Sequence, residues 1–534
     1  MNRRSTLPLI VLALLAGFGC EPERPAATVA PGSPGITKPA IPEATFSIAD
    51  YGAVGDGKTV NTDAFRKTIE ACAAAGGGRV IVPAGTWFTG PIHLISNLDF
   101  HLEAGAVILF SRNFDDYPLV MTPFEGQQTV ECTSPLSGEN LHDVSVTGTG
   151  IIDGQGDAWR PLKRSKTTAA QWAAQAKSGG YVDERSHTWW PSKAASQGMK
   201  GLGKLRLSGN PPTIESYQPY RDLLRPVMVL LSDCHNVLLE GPTFRNSGSW
   251  NVHVLYCDDL TVHNVTIFNP YYAQNGDGID IDSCRNVAVT DSTIDAGDDV
   301  ICLKSGKDAE GRKAARPTEN VTITGCTLGH GHGGIAIGSE MSGGVRNVTV
   351  SHCVLRGTDD ALRFKSVRGR GGVVENINIS DIQMSDIKNA CISFDLFYQL
   401  KKPTTRRSAT KPSVDPDAPD PDAPVAKTLE VKQEPAQPVG EGTPQFRNIT
   451  IRNIDCTGTN IGIQLRGLPE MPLENVTIEH AAIVAKQGGA MIDCKRIALR
   501  DVQIKAVTAP VFQIQDVSDL TMENDDFVPQ PVLK

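Results

Sequence analysis

Asn320–Leu328 reads NVTITGCTL, and Asn347–Leu355 reads NVTVSHCVL. Each nonamer opens on Asn, places apolar residues at its second and fourth positions, and closes on an apolar residue. The same pattern starts at Asn236 (NVLLEGPTF), Asp259 (DLTVHNVTI), Asn286 (NVAVTDSTI), Asn376 (NINISDIQM), Asn448 (NITIRNIDC) and Asn475 (NVTIEHAAI). Weaker copies start at Asp143 (DVSVTGTGI) and Ile497 (IALRDVQI). From Asn236 onward the copies lie 23, 27, 34, 27 and 29 residues apart, then 72 across an insertion, then 27. Self-similarity at such a period marks a solenoid, in which each unit buries its apolar face only against its neighbours. Alternation at period two with β-branched residues is strand patterning, and no helical segment recurs. The reading is an all-β, single-stranded parallel β-helix. Leucine-rich repeats lack support in the Leu/Asn spacing, and propeller blades are longer.

Two details refine it. Cys326 and Cys353 occupy one repeat position, shared by Ile382 and Ile454. They read as small buried hydrophobes of a core column rather than as a disulfide. The repeated Asn either forms a ladder at a coil corner or serves individual turns. Residues 62–75 read as a helix capping the N-terminal end, with Asn61 or Thr62 as its N-cap, Phe65, Ile69 and Cys72 or Ala73 on one face, and Gly76-Gly77-Gly78 as its stop.

The remaining organisation follows from composition. Arg3 and Arg4 precede an apolar run, Leu7–Phe18, too short to span a bilayer, and Cys20 follows. Residues 1–20 read as a signal peptide, with Cys20 a possible lipid attachment point and the sole route to membrane anchoring. Residues 21–42 read as a flexible linker and residues 43–534 as one catalytic β-helix domain. Two stretches interrupt the repeats: 157–222, read as irregular, and 400–445, of low complexity and read as a surface loop. The expected location is outside the cytoplasm of a bacterium: periplasmic, anchored at the outer membrane, or extracellular. The twelve cysteines show no metal-ligand spacing, so neither metal nor cofactor is expected. The formal net charge of -9 gives no reason to expect a nucleic-acid partner, and a closed-ended solenoid reads as a monomer.

Four segments carry the chemistry. They are Asn275-Gly276-Asp277-Gly278, Gly297-Asp298-Asp299, Gly329-His330-Gly331-His332-Gly333-Gly334, and Arg363-Phe364-Lys365. Asp277 and Asp299 are 22 residues apart, His332 follows after 33, and Arg363 after a further 31. Spacings near one coil place these four side chains in a single column. Glycoside hydrolysis needs one protonated carboxyl for the leaving oxygen and one carboxylate to activate water or attack. Three crowded aspartates do not all ionise easily, so one is expected to be pushed up as the acid. His332, Arg363 and Lys365 gather positive charge able to hold a sugar carboxylate, which reconciles an acidic protein with an acidic polymer.

The order Asn-x-Asp, Gly-Asp-Asp, Gly-His-Gly, Arg-x-Lys resembles the polygalacturonases of glycoside hydrolase family 28. The resemblance extends over most of residues 43–525, including Tyr51–Gly57 and the stretch from Arg245-Asn246-Ser247 to Trp250 and His253. It implies a right-handed helix and metal-free, single-displacement, inverting hydrolysis of α-1,4-galacturonosidic bonds. It implies Asp298 as general acid, Asp277 and Asp299 as the pair that activates water, and His332 as support for the acid. Arg363 and Lys365 would hold the galacturonate carboxylate, and Tyr398 is a candidate for a family tyrosine. The partner implied is an acidic plant polysaccharide or oligogalacturonide. Gly276 stands where Thr is common, Ala336 where Ser is frequent, and Gly333-Gly334 adds a residue after His332, which makes His330 a second choice. The pectic substrate is therefore open to rhamnogalacturonan or xylogalacturonan. The Gly-His-Gly-Gly spacing, the cationic stretch through Arg368 and Arg370, and the 157–222 insertion point to exo action. A lyase with calcium on Asp277, Asp280 and Asp282, and a non-catalytic carbohydrate-binding β-helix, are the rival readings.

Overall fold

The computed structural model describes residues 38–398 and 435–529. The expected signal peptide and most of the 21–42 linker, and most of the 400–445 loop, lie outside those residues. From Asp143 to Asn347 each nonamer is a strand running into a turn and a shorter strand, and from Asn376 onward it lies within one continuous strand. Asp258–His263, Arg285–Thr290, Thr318–Thr324 and Val345–Ser351 pair in parallel, one coil on the next. Thr266–Phe268, Thr293–Asp295 and Thr327–Leu328 pair likewise. A third parallel ladder runs through Val252–Leu255, Ile279–Asp282, Ile301–Lys304, Gly331–Ile337, Thr358–Lys365 and Ala390–Asp395. This is the expected parallel β-helix. Its interior is a set of columns such as Leu260, Val287, Val321, Val348 and Ile377, all buried. Cys326 and Cys353 are free and buried in such a column, as their repeat position implied.

The repeated Asn both serves the turns and forms the ladder. Asn286, Asn320, Asn347 and Asn376 all adopt left-handed backbone, with φ of 56°, 57°, 57° and 58°. That conformation is costly for most residues and tolerable for Asn. The Asn320 amide donates to Asn286 Oδ1 at 3.0 Å, Asn347 to Asn320 at 3.1 Å, and Asn376 to Asn347 at 3.2 Å. An amide is both donor and acceptor, so one residue type continues the chain of bonds.

The helix Thr62–Ala74 closes the N-terminal end and buries Phe65, Ile69 and Cys72. Asn61 takes the N-cap position, but its amide turns to the carbonyls of Val54, Thr59 and Phe88. The 157–222 insertion is more regular than its sequence suggested. It holds the helices Ala169–Lys177 and Lys193–Arg206 and a small antiparallel sheet of Leu162–Lys163, Thr188–Trp190 and Tyr181–Asp183. Short amphipathic pieces escaped the periodicity test, although Thr168 and Gln171 form a capping box. With the hairpin Leu119–Phe124/Gln127–Cys132, it forms a second core around Tyr117, Trp159, Leu202 and Leu224. Strand pairing resumes at Gln445. No helix among the described residues is long and apolar enough to cross a membrane.

Candidate active site

The third ladder sets the site. Ile279, Ile301, Ile335 and Leu362 are register partners pointing into the core. The acids sit just upstream, where each turn feeds its strand. Gly278 N donates to Asp299 O at 2.9 Å and Val300 N to Gly333 O at 2.8 Å, so Asp277, Asp299 and Gly333 form one column. His332 N donates to Asp298 O at 2.8 Å, so His332 stacks on Asp298 in the adjacent column. One oxygen from each of Asp277, Asp298 and Asp299 lies within 4.8 Å of the others.

The single column expected from the spacings is corrected here. Arg363 pairs in register with Ala336, above Cys302, Asp280 and His253, and thus three residues further along its coil than Gly333. Its side chain reaches back: Nη1 lies 3.0 Å from Asp299 Oδ1. Lys365 Nζ lies 2.5 Å from Asp299 Oδ2. The two cations expected to wait for a sugar carboxylate are therefore engaged with the chain's own carboxylate, one on each oxygen. Gly333 makes the approach possible, because a Cβ there would lie 2.9 Å from both Arg363 Cδ and Asp299 Oδ1. Tyr398 lies beside both cations, its ring 5.6 Å from Arg363 Cζ and 5.2 Å from Lys365 Nζ. His332 Nδ1 lies 3.0 Å from Asp298 Oδ1, whereas His330 turns away to both oxygens of Asp295 at 3.2 Å. His332, and not His330, is thus the histidine beside Asp298.

All these residues fall within 216–415, the stretch that matches the family model described as Glycosyl hydrolases family 28. A probable polygalacturonase of Vitis vinifera is 32% identical over 352 residues, covering 64% of this chain and 61% of that protein. An exo-poly-alpha-D-galacturonosidase of Dickeya chrysanthemi is 29% identical, covering 68% of this chain and 58% of that protein. The crystal structure of a hyperthermoactive exopolygalacturonase from Thermotoga maritima superposes with a TM-score of 0.69 at 27% identity, covering 88% of this chain and 93% of that one. The chain is similar to the polygalacturonases of glycosyl hydrolase family 28. It spans about three fifths of the length of the two curated relatives, 61% and 58%.

Two departures from the polygalacturonase pattern have local causes. A Cβ on Gly276 would lie 2.6 Å from Ala273 Cβ, so Ala273 fills the space that a side chain at 276 would need. Of the glycine pair after His332, Gly333 accommodates Arg363, as described above, and Gly334 packs against Leu355 and Ala361.

The protonation pattern differs from the simplest expectation. Asp298 is held below the ordinary carboxylate range: burial pushes it up, but the His332 charge and hydrogen bond outweigh that. His332 is correspondingly raised by Asp298, against the effect of burial. Asp299 is pushed strongly down by Lys365, Arg363 and Lys304, again against burial. Asp277 is the one raised, by burial first and then by Asp280, Asp298 and Asp299. The crowding argument therefore holds for the cluster, but the carboxyl it raises is Asp277 rather than Asp298.

Beside the cluster lies a group of charges the sequence reading did not assemble. Lys304 Nζ is 3.4 Å from both Asp280 and Glu340 and sits 4.7 Å over the Trp250 ring. Burial lifts Asp280 to about 8, whereas Lys304, Lys365 and Arg370 hold Glu340 down at about 2. Lys304 thus faces two buried carboxyls, of which Glu340 is held down and Asp280 is pushed up. Asp282 lies apart, its Oδ1 accepting from Gly306 N at 3.1 Å. Among the described residues the carboxylates that converge are Asp277, Asp298 and Asp299, not the Asp277, Asp280 and Asp282 of the calcium reading. Strand alternation points His253, Asp280 and Cys302 away from the core, yet they are only 1%, 0% and 0% exposed. Trp250 packs edge-on 5.0 Å from His253, and the Phe124 ring of the hairpin packs 4.8 Å from Trp250.

Proposed function

We propose that this chain hydrolyses α-1,4-galacturonosidic bonds of polygalacturonate or pectin, acting from a chain end. The observation that carries the reading is the convergence of Asp277, Asp298 and Asp299 within 4.8 Å, with His332 on one and two cations on another. Asp298 donates the proton to the leaving oxygen, resupplied across the 3.0 Å contact from His332 Nδ1. Asp299, kept ionised by its cations, takes a proton from the attacking water, and Asp277 orients that water. Arg363 carries five N–H donors and Lys365 three, so each retains donors for a uronate carboxylate beside Asp299. The hairpin's Phe124 ring against Trp250, which packs on the buried His253, supports a groove walled on that side, as chain-end attack requires. The Leu7–Phe18 run supports an exported enzyme.

A second reading concerns the displacement. Carboxylates of inverting enzymes commonly stand about 6.5–9.5 Å apart and those of retaining ones about 5–5.5 Å. The 4.8 Å convergence favours the closer arrangement, and with it a glycosyl–aspartate intermediate. The resemblance to family 28 favours inversion, with water held among three carboxylates. Proton NMR of the first-formed product decides: β-galacturonate supports single displacement, and the α-anomer supports the intermediate. The activity itself is tested by digesting polygalacturonate with wild type and Asp298→Asn, sizing the products and following ultraviolet absorbance. Saturated galacturonate monomer, lost in the variant, is expected. An absorbing product means elimination, and absence of product from linear and branched pectic substrates refutes the reading.

A further inference from the structure

Among the described residues no cation forms an ion pair with Asp277. Its Oδ1 is buried and has no hydrogen-bond partner among the described residues, unlike Asp298 on His332 and Asp299 on Arg363 and Lys365. Its position therefore depends on the backbone that delivers it. That backbone is a double turn: Ala273 N donates to Pro270 O at 2.8 Å and Gly276 N to Ala273 O at 3.1 Å. Asn275 sits in left-handed conformation with φ of 50°.

Arg225 grips this turn from outside the repeat. Its Nη1 donates to Gln274 O at 2.7 Å and to Gly248 O at 3.3 Å, and its Nη2 donates to Asn275 Oδ1 at 2.7 Å. The planar fork thus fixes a carbonyl and a side chain of adjacent residues, a geometry that an ammonium does not reproduce. Below the turn, Asn269 Nδ2 donates to Gly276 O at 3.1 Å, so the turn is clamped on two sides. Arg225 follows Leu224, which is fully buried in the core of the hairpin and insertion. The insertion is therefore tied through one guanidinium to the residue two positions before Asp277.

We infer that Arg225 is a positioning residue for Asp277, through which the 157–222 insertion and its hairpin set the geometry of the reacting carboxylates. The inference rests on the hydrolase reading for its kinetic consequence but not for its structural one. A displacement of about 1 Å in a catalytic group costs on the order of 100-fold in rate. A clamp that acts only on position leaves the uronate-binding cations untouched.

The test uses Arg225→Lys, which keeps the charge and loses the fork, and Asn275→Gly, which keeps the left-handed backbone and loses the acceptor. Each is expected to lower kcat on polygalacturonate by about tenfold or more, with KM within about twofold of wild type and melting temperature little changed. The double variant is expected to fall no further than the worse single one, because both break one contact. Amide exchange of the 270–278 segment, followed by mass spectrometry without substrate, is expected to rise in Arg225→Lys. Unchanged exchange overturns the inference whether or not the protein turns over this substrate. Additive kinetic losses, or a rise in KM alone, overturn it too. An inactive wild type with increased exchange in Arg225→Lys overturns the hydrolase reading and leaves the clamp established.

Discussion

Arg363 stands three positions further along its coil than Gly333, the residue stacked on Asp299, and its Nη1 still lies 3.0 Å from Asp299 Oδ1. The guanidinium leans back over the gap left by Gly333, and Lys365 takes the other oxygen. A carboxylate buried this deeply is costly unless paired. Two cations satisfy that requirement and place positive charge where a uronate is expected to dock. The site thus uses the same pair for structure and for the proposed recognition.

Lys365→Met is expected to expose this double use. Asp299 is held below its ordinary value, so its pairing contributes stability above about pH 4 that is lost as pH falls through the lower folded value. With one cation removed the folded value rises. The acid limb of kcat/KM should move to higher pH, and stability at neutral pH should fall by about 3 kcal/mol, as for a broken buried pair. Urea melts and a pH–rate profile check both; an unmoved acid limb means that Asp299 does not depend on Lys365.

The assignment of proton donor is open to a direct experiment. On an aryl galacturonide with an acidic phenol the leaving group needs little protonation. Asp298→Asn should then retain far more of wild-type activity than on polygalacturonate, where the loss is expected at roughly 10²–10⁴-fold. Asp277→Asn and Asp299→Asn should be impaired on both. If Asp277→Asn is the variant rescued, the proton that burial holds on Asp277 is the catalytic one.

The sequence exposed the repeat because Asn alone, at fixed offsets before β-branched residues, satisfies both left-handed backbone and an amide ladder. It exposed the three aspartates and His332 because they sit in turns next to strands whose register the repeat itself sets. Arg363 was misplaced because the coil from Ala336 is 27 residues long, whereas the count from His332 is 31. Two residues on one coil do not share a column merely by lying near one period from a third. Glu340 and Arg225 were invisible for a different reason: their partners come from turns and from the insertion, where side-chain contacts follow no period. The Asp359-Asp360 doublet, four residues before Arg363, was a readable signal. Asp360 stacks on Gly333 and lies 3.4 Å from Arg363 Nε, holding it from the other side.

The Asp298–His332 pair gives a stability window whose limits follow from the two shifts. His332 is raised, so its share is full below about pH 6.5 and is lost as pH rises through the folded value. Asp298 is lowered, so its share is full above about pH 4 and is lost as pH falls through its folded value. The penalty of Asp298→Asn should be larger near pH 5.5 than near pH 9, and NMR should find the His332 imidazole titrating lower in the variant. An equal penalty at both pH values means the two groups are not coupled.

The Asn ladder makes the last prediction separable into its parts. Asn347 has φ of 57°, donates to Asn320 at 3.1 Å and accepts from Asn376 at 3.2 Å. Glycine at this position keeps the left-handed backbone and loses the two side-chain bonds, each worth about 0.5–1.5 kcal/mol net and less where exposed. Alanine loses the bonds and adds about 1–2 kcal/mol of backbone strain. Asn347→Ala should therefore be less stable than Asn347→Gly, by about 1 kcal/mol, in chemical denaturation. The glycine variant pays instead in unfolded-chain entropy, which narrows the gap without reversing it. Equal stabilities would mean that the ladder bonds, and not the left-handed corner, are what select Asn in each coil. A more stable alanine variant would mean that the turn relaxes out of the left-handed region at little cost, and that the repeat tolerates a corner its own sequence never uses.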